Sequence, residues 1–511
     1  MQLLAFVLYF LLILGIGIFF FLRDKSSSEK DYFLGGRSVG PWVTAMSAQA
    51  SDMSGWLLMG FPGSILAFGM GKVWIGIGLA LGTAANWIFV AKRLRRFSAA
   101  AGDAITLPQY LTSRFASQNP ILKVLCSVIF LVSFTVYVSS AFVAGKSVMI
   151  AVIPWFADKP MLAMGLFALL ILIYTFLGGY KAVCWTDFFQ GVMMLIALLA
   201  VPIVMMLSGN FDASFAGAFS EGVAPFQSSP FTADWQDIVT GLSWGLGYFG
   251  MPHIVVRFMG IRKPSQVKKA ATVAIVWVIL TLSSAVALAS LGRIYLLSDG
   301  SSLAEALLLT GMQQDIFIVL TQNIFPPILV GLLLAAIVAA AMSTADSQLL
   351  VASSSFTSDL YKPLIRRNKA SDKEILWVGR FVVAIVSVVA FLIASSGTAW
   401  ASNIMSMVEN AWGLFGAAFG PIVLLSLFWR RLNYPGACAG ILVGAAVDIL
   451  WLLCFTNTIM PAAIVSTGIY EILPGFLANT VTAITVSLCT KAPSAEVDAI
   501  FAKATSPDLD N

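Results

Sequence analysis

Charged residues, histidine and metal-type cysteine spacing are all scarce in this sequence. Only 11% of its 511 residues are charged and 59% are hydrophobic, whereas about 25% charge is usual for a soluble domain. The single histidine and five cysteines show neither zinc-ligand nor CxxC spacing, so the cysteines are expected to be small buried side chains. No nucleotide-binding loop or catalytic-triad pattern is present. These features predict a polytopic membrane protein that is not an enzyme and has no nucleic-acid partner.

Apolar segments long enough to cross a lipid bilayer recur along the chain. A spanning helix needs about 20 apolar residues. We predict an all-α fold with thirteen spans, at residues 3–22, 42–68, 71–91, 121–150, 160–179, 182–207, 235–259, 268–292, 325–347, 376–396, 400–428, 434–456 and 462–488. Residues 1–490 are predicted to form a single transmembrane domain, and the polar residues 491–511 a disordered cytoplasmic tail.

Basic residues are distributed unevenly between the two ends of these spans. Of the 30 lysines and arginines, 26 fall on one side, and the other four are Lys72, Lys146, Lys159 and Arg293. Membrane proteins keep most of their basic residues in the cytoplasm. The pattern therefore predicts an N-terminus outside and a C-terminus inside.

Two of the predicted spans contain residues that interrupt a helix. The second span holds Ser51, Asp52, Ser54 and Gly55, and the seventh holds several glycines followed by Pro252. Irregular backbone at membrane depth is tolerated where it lines a cavity, and transporters use such breaks to bind ions and solutes. The breaks lie five spans apart, which predicts two five-helix repeats of inverted topology, at about 42–207 and 235–428. Ordinary kinked helices are the alternative interpretation.

A third polar cluster closes the predicted ninth span. Ser343, Asp346 and Ser347 share one helix face, and Thr344 adds a second hydroxyl beside Ser343. Hydroxyl and carbonyl oxygens suit a hard cation such as sodium. The alternative is a small-residue helix contact with hydroxyls bonded to their own backbone. Asp346 favours an ion path or a water-filled path.

Three further side chains near the spans have two interpretations each. Asp187, at the start of the sixth span, either faces cytosolic water or lines an ion path. Trp244 and Tyr248 are four residues apart on a helix beside the second break. Such a pair either packs within the protein or walls a small-ligand pocket.

Several segments resemble the sodium:solute symporter family over nearly the whole chain. The matching segments are residues 31–38, 51–60, 245–254, 342–344, 416–421 and 491–495. The Ser-Asp-Met-Ser-Gly-Trp sequence together with Gly-Tyr-Phe-Gly-Met-Pro-His points to the proline-transporting branch. The resemblance implies a LeuT-like core of ten helices, with one extra N-terminal and two extra C-terminal helices, in the plasma membrane of a bacterium.

The resemblance also implies specific sites. Sodium would be held by the carbonyls of Ala50, Met53 and Ala340 and the side chains of Ser343 and Thr344. The substrate pocket would involve Ser54, Trp56, Tyr137, Trp244, Tyr248 and Pro252. Arg37 and Asp52 match positions tied to gating and sodium coupling, and Asp187 matches a position on the cytosolic ion path. Asp346 stands where some relatives have a hydroxyl, so a second cation at Asp187, Asp346 and Ser347 remains open.

The implied function is sodium-coupled import of L-proline by alternating access. The first alternative is the same fold carrying another small zwitterion, such as betaine, or a carboxylate. A transporter-like sensor would need a signalling domain, and a channel would need a continuous polar pore. The oligomeric state is left open.

Overall fold

The protein is helical throughout the part that the computed structural model describes. That part comprises residues 1–23, 29–177, 179–208, 227, 229–298, 307–308, 310–456 and 467–506. The principal helices are α1 (Gln2–Arg23), α2 (Glu29–Leu34), α3 (Pro41–Asp52), α4 (Trp56–Phe68), α5 (Met70–Ala100), α6 (Leu107–Arg114), α7 (Ile121–Val152), α8 (Pro160–Leu177), α9 (Tyr180–Leu207), α10 (Trp235–Ser243), α11 (Pro252–Gly260), α12 (Val267–Ser298), α13 (Ile316–Ile324), α14 (Pro327–Ile365), α15 (Asp372–Ala394), α16 (Ile404–Phe428), α17 (Tyr434–Phe455), α18 (Ile472–Cys489) and α19 (Ala495–Thr505).

Ten helices in the described residues are long and apolar enough to cross a membrane. Large apolar side chains remain exposed along them, among them Leu11 of α1, Val132 of α7, Ile279 of α12 and Leu392 of α15. An exposed apolar surface of this extent is stable against lipid and not against water. The composition and the exposed surface therefore agree on a membrane-embedded helical protein.

Both predicted interruptions are present in the fold. The helix that begins at Pro41 stops at Asp52, and a new helix begins at Trp56. Similarly, α10 stops at Ser243, a 3₁₀ segment covers Trp244–Phe249, and α11 begins at Pro252. Proline suits the first turn of α11, because its missing N–H would have no helical partner there.

The first interrupted helix lies at the centre of the bundle. Helix α3 packs against α9, α11, α12 and α14, and every α3 residue from Val43 to Asp52 is buried. Helix α14 is itself buried from Val330 to Ser354 apart from Leu332. Two helices of this kind cannot face lipid, so their polar residues meet each other inside the protein.

The ninth predicted span is much longer than expected. We predicted that it ends at residue 347, but α14 continues to Ile365, with a wider π-type turn beginning at Ser355. The polar cluster at Ser343–Ser347 therefore lies in the middle of a buried helix and not at its end. The run of apolar residues stops at this cluster because the protein interior buries polar side chains here. The helix itself continues past the cluster.

The C-terminal tail also differs from its prediction. Residues Ala495–Thr505 form α19, whereas a disordered tail was predicted. Helix α19 packs on the basic end of α5, where Phe501 meets Phe97 edge-on at 5.2 Å between ring centres. The last span begins at Ile472 and not at 462; residues 457–466 lie outside the described part.

Candidate functional site

The break after Asp52 frees two backbone carbonyls for other partners. In a continuous helix the amides of Ser54 and Leu57 would bond to the carbonyls of Ala50 and Met53. Here the Ser54 amide bonds to the Asp52 carbonyl at 3.0 Å, and the Leu57 amide bonds to the Ser54 carbonyl at 3.0 Å. The carbonyls of Ala50 and Met53, both in the predicted sodium set, therefore lose their helical donors.

Ser343 joins this break to α14. Its hydroxyl donates to the Ala50 carbonyl at 2.8 Å and lies 3.1 Å from the Ala340 carbonyl. The neighbouring Thr344 hydroxyl is buried and has no hydrogen-bond partner among the described residues. The structure thus brings Ala50, Ala340 and Ser343 to one contact between the two helices, with Thr344 next to Ser343 in the chain. An unsatisfied hydroxyl beside carbonyl oxygens fits a hard cation.

The two interrupted helices are linked by Asp52 and Tyr248. The Tyr248 hydroxyl donates to Asp52 Oδ2 at 2.6 Å, and both side chains are buried. Trp56 Nε1 and the Tyr137 hydroxyl both donate to the Asp52 carbonyl, at 3.1 and 3.4 Å. Asp52 therefore gathers Trp56, Tyr137 and Tyr248, three of the six residues in the predicted substrate pocket.

The second break is completed by side chains from other helices. Pro252 leaves the Tyr248 carbonyl without a helical donor, and Asn86 Nδ2 supplies one at 2.8 Å. Trp412 Nε1 donates to the Trp244 carbonyl at 2.8 Å. The opened backbone is thus held by α5 on one side and α16 on the other.

Close helix approach around this break requires glycine. A Cβ on Gly82 would lie 2.4 Å from the Gly245 carbonyl oxygen, and one on Gly247 would lie 1.9 Å from Trp412 Nε1. Only hydrogen fits at such distances, so α5 and α16 reach the opened segment closely enough to donate to it.

Aromatic side chains extend outward from Tyr248. Tyr248 meets Trp412 edge-on at 5.0 Å, Trp412 lies 6.5 Å from Trp244 in a stacked arrangement, and Trp244 lies 5.1 Å from Tyr470.

Ser54, in the first break, has its hydroxyl 3.4 Å from the Trp56 amide. All six predicted pocket residues are buried.

The residues predicted for a second cation surround an arginine. Arg257 is fully buried, donates to the Ser347 hydroxyl, and lies 3.3 Å from Asp187 Oδ2. Ser47 joins them, since its hydroxyl donates to Asp187 Oδ2 at 2.7 Å. Asp346 is also buried, and within the described part of the chain neither of its carboxylate oxygens accepts a well-formed hydrogen bond.

Arg37 closes the end of the bundle that carries most of the basic residues. Its guanidinium donates to the Met259 carbonyl at 2.7 Å, to the Ala104 carbonyl at 3.0 Å and to the Ser98 hydroxyl at 3.1 Å. Its Nε lies 2.9 Å from Asp103 Oδ1. One buried side chain thus holds α11, the end of α5 and the loop after it.

Comparison with known proteins decides the family. The model of the sodium:solute symporter family matches residues 32–444. The chain belongs to that family. Sodium/proline symporter 2 of Staphylococcus saprophyticus is 42% identical over 499 residues, covering 96% of this chain and 93% of the relative. The high-affinity proline transporter PutP of Bacillus subtilis is 42% identical over 484 residues, covering 94% and 96%.

The fold is shared with a solved symporter. A sodium-coupled sialic acid symporter, in a substrate-bound, outward-open state, matches with a TM-score of 0.74 at 19% identity, covering 96% of this chain and 98% of the other. The family's fold, an all-helical membrane transporter, is therefore present here.

Arg257 corrects a prediction about this symporter's ion path. The sequence left open whether Asp187 faces cytosolic water or lines an ion path. Arg257 instead lies in α11 and pairs with Asp187 in the interior. The signal was visible in the sequence, because position 257 falls inside the apolar run predicted for the seventh span.

Asn86 and Trp412 were not predicted at all. Each donates to a backbone carbonyl of the 3₁₀ segment at the second break. A single asparagine or tryptophan in an apolar helix carries no distinctive spacing, so only the tertiary contact identifies its role.

Proposed function

We propose that this symporter couples sodium entry to the import of L-proline by alternating access. The contact that carries the proposal is Ser343, whose hydroxyl reaches the freed Ala50 carbonyl across α3 and α14. Sodium bound by Ala50, Met53, Ala340, Ser343 and Thr344 would replace that contact and fix the first break against α14. Family membership and the proline transporters among the relatives support the choice of ion and solute.

Solute would bind between the two breaks. Trp56, Tyr137 and Tyr248 meet at Asp52, so a zwitterion arriving beside them would meet aromatic faces, hydroxyls and open backbone. Asp52 would transmit sodium binding to the pocket, because it ends the helix that carries the Ala50 carbonyl. Arg37 would hold the inner side closed until the bundle rocks.

One sodium provides enough free energy for scavenging. Moving one charge down 100 mV releases about 2.3 kcal/mol. A tenfold sodium gradient adds about 1.4 kcal/mol. The sum supports roughly 500-fold accumulation of a neutral solute, so a second ion is not required energetically.

A second cation or a proton would involve Asp346, Asp187 and Ser347. Arg257 already balances Asp187 and occupies the Ser347 hydroxyl in this conformation. We propose that Arg257 takes the place of a cation here, and that any further charge is received by Asp346.

The full architecture belongs to the same proposal. Adding the two interrupted helices and α8 to the ten long helices gives thirteen spans, arranged as two inverted repeats with flanking helices. The distribution of basic residues supports an external N-terminus and a cytoplasmic C-terminus in a bacterial plasma membrane.

Uptake by purified protein in proteoliposomes tests the proposal. Labelled proline should accumulate with an inward sodium gradient, more so with an inside-negative potential, and should only equilibrate when sodium is equal on both sides. Accumulation driven equally well by potassium would contradict sodium coupling. Stronger competition by betaine or a small carboxylate than by unlabelled proline would favour the alternative solutes, and absence of all uptake would favour a sensor.

A further inference from the structure

An apolar groove runs along three helices at the membrane surface of the protein. It has a volume of about 390 Å³ and is formed by α3, α9 and α12, with Met46, Val192 and Val276 among its lining residues. Val276 is 53% exposed and Val192 is 38% exposed, so the groove opens towards lipid. Its lining on α12 runs from Thr272 to Leu280, about 12 Å of helix, which is most of one leaflet's roughly 15 Å of hydrocarbon.

A second pocket, which has two basic side chains in its lining, adjoins the groove at Trp42. This pocket has a volume of about 330 Å³ and is lined by Lys181, Arg262 and the first residues of α3. Trp42 lines both the groove and the pocket, and Lys269 Nζ lies 5.6 Å from the centre of its ring. Within the described part of the chain, the lining of this pocket includes no carboxylate.

Hydrogen bonds to backbone carbonyls connect lining residues of this second pocket. The Arg262 amide donates to the Val39 carbonyl at 3.0 Å, and the Arg262 guanidinium lies 3.3 Å from the Ser38 carbonyl. Helices α3, α9 and α12 all begin at this end, so their positive dipole ends add to the basic side chains. The pocket is therefore preformed and positively charged at the end of an apolar groove.

We propose that this combined groove and pocket binds one anionic phospholipid. An acyl chain fills the apolar groove, and the phosphate headgroup meets Lys181, Arg262 and Lys269 beside Trp42. Tryptophan and basic side chains at the membrane interface suit this arrangement, and basic pockets between spanning helices are typical sites for anionic headgroups. The leaflet is the one on the side with most lysine and arginine, where anionic lipid is attracted.

The lipid would rest directly on the helix that carries the sodium ligands. Trp42 and Met46 lie on α3, one to two turns before the Ala50 carbonyl. A bound lipid would therefore support α3 at its N-terminal end while the break moves at its C-terminal end. Lipid binding is a property separate from transport, so it can be measured whatever solute is carried.

Native mass spectrometry of the purified full chain, titrated with phosphatidylglycerol or phosphatidylcholine, tests the proposal. Replacing Lys181, Arg262 and Lys269 with Gln should weaken phosphatidylglycerol binding about fivefold per charge, roughly 100-fold together. A second variant, Val276→Trp, should block the acyl chain and lower binding with every charge in place. Inorganic phosphate should not displace the lipid.

Two matched controls separate this site from general surface attraction. The triple variant Arg367→Gln, Lys369→Gln, Lys373→Gln removes three exposed basic residues elsewhere, and Val388→Trp enlarges a membrane-facing valine outside the groove. Both controls should bind phosphatidylglycerol as the unaltered chain does. Equal losses in the controls, equal affinity for phosphatidylcholine, displacement by phosphate, or a second copy of the chain covering the groove would each overturn the proposal.

Discussion

Ser343 is the side chain through which the two helices of the predicted sodium site touch. Its hydroxyl is shared between the Ala50 and Ala340 carbonyls, and the Thr344 hydroxyl has no hydrogen-bond partner in the part of the chain that the structure describes. Buried polar atoms are rarely left unpaired, so the arrangement has capacity for one more positive group. Of the residues chosen from sequence as ion ligands, Ala50, Ala340 and Ser343 are therefore in contact.

The first prediction removes these two hydroxyls. Ser343→Ala with Thr344→Ala should raise the half-saturating sodium concentration by roughly tenfold or more per oxygen, because hydrogen bonds and contacts to charge are strong when buried. Proline affinity at saturating sodium should change less. Ser354→Ala is the control, since that hydroxyl donates only to the Val351 carbonyl of its own helix. Unchanged sodium dependence in the double variant would show that the site is elsewhere.

Tyr248 tests the link between the breaks. Tyr248→Phe removes the 2.6 Å hydrogen bond to Asp52 while keeping the ring, and should raise the half-saturation for proline roughly tenfold. Tyr137→Phe, whose hydroxyl is 3.4 Å from the Asp52 carbonyl, should have a smaller effect. The control is Tyr434→Phe, which loses a bond to the Asn119 carbonyl at 3.0 Å. An unchanged half-saturation for proline in Tyr248→Phe would show that Tyr248 only packs within the protein.

Asp346 is the residue that tests whether a second cation or a proton accompanies sodium. With Arg257 already paired to Asp187, one buried carboxylate charge is left over, and isolated charge in the interior is costly. Asp346→Asn should therefore change the Hill slope for sodium or the pH dependence of uptake, at normal membrane insertion. Asp448→Asn, another buried carboxylate with an unpaired oxygen, is the control. If Asp346→Asn behaves as wild type in both measurements, Asp346 is not part of the ion path.

At the scale of elements, helix α19 is the part that composition predicted least well. Val497 and Ala504 are buried, Phe501 packs on Phe97, and the Arg114 guanidinium lies 5.1 Å from the Phe501 ring. A polar segment can fold in this way when a neighbouring helix supplies the apolar surface that it lacks alone. The same end of α5 carries Ser98, whose hydroxyl accepts a hydrogen bond from the Arg37 guanidinium.

Removing that packing should release the tail. Phe501→Ala should weaken docking of α19 by about 1–2 kcal/mol, because a partly buried aromatic side chain is lost. Hydrogen–deuterium exchange in residues 495–505 should rise by roughly tenfold. Lys503→Ala, an exposed position on the same helix, should leave the exchange unchanged. Exchange in Phe501→Ala as slow as in wild type would show that other contacts hold the helix.

At the scale of the whole molecule, the proposed membrane orientation rests on charge. The proposed thirteen spans, an odd number, would place the two termini on opposite sides, and the basic residues would select which side is inside. Single cysteines at Gln118, Asp158 and Ala495, in a chain without its five native cysteines, test this arrangement. In right-side-out vesicles, an impermeant maleimide should label only Asp158→Cys. Labelling of Gln118→Cys or Ala495→Cys in intact vesicles would contradict the proposed orientation.

Much of the fold was readable in the sequence because lipid imposes simple rules. A spanning helix must be apolar and about 20 residues long, so most helix positions follow from hydrophobic runs. The two breaks were also readable, since glycine, proline and polar residues cannot continue an ordinary apolar helix at that depth. Ser343 and Thr344 stood out for the same reason.

The partners of those breaks were decided only by tertiary structure. Asn86 and Trp412 donate to carbonyls more than 150 residues away in sequence, and Arg257 meets Asp187 and Ser347 from a third helix. Hydrophobic patterns report how deeply a residue is buried, and they do not report which helix faces it. The length of α14 and the docking of α19 were missed for the same physical reason: protein interior can bury polar residues that lipid cannot, so the apolar run and the helix do not end together.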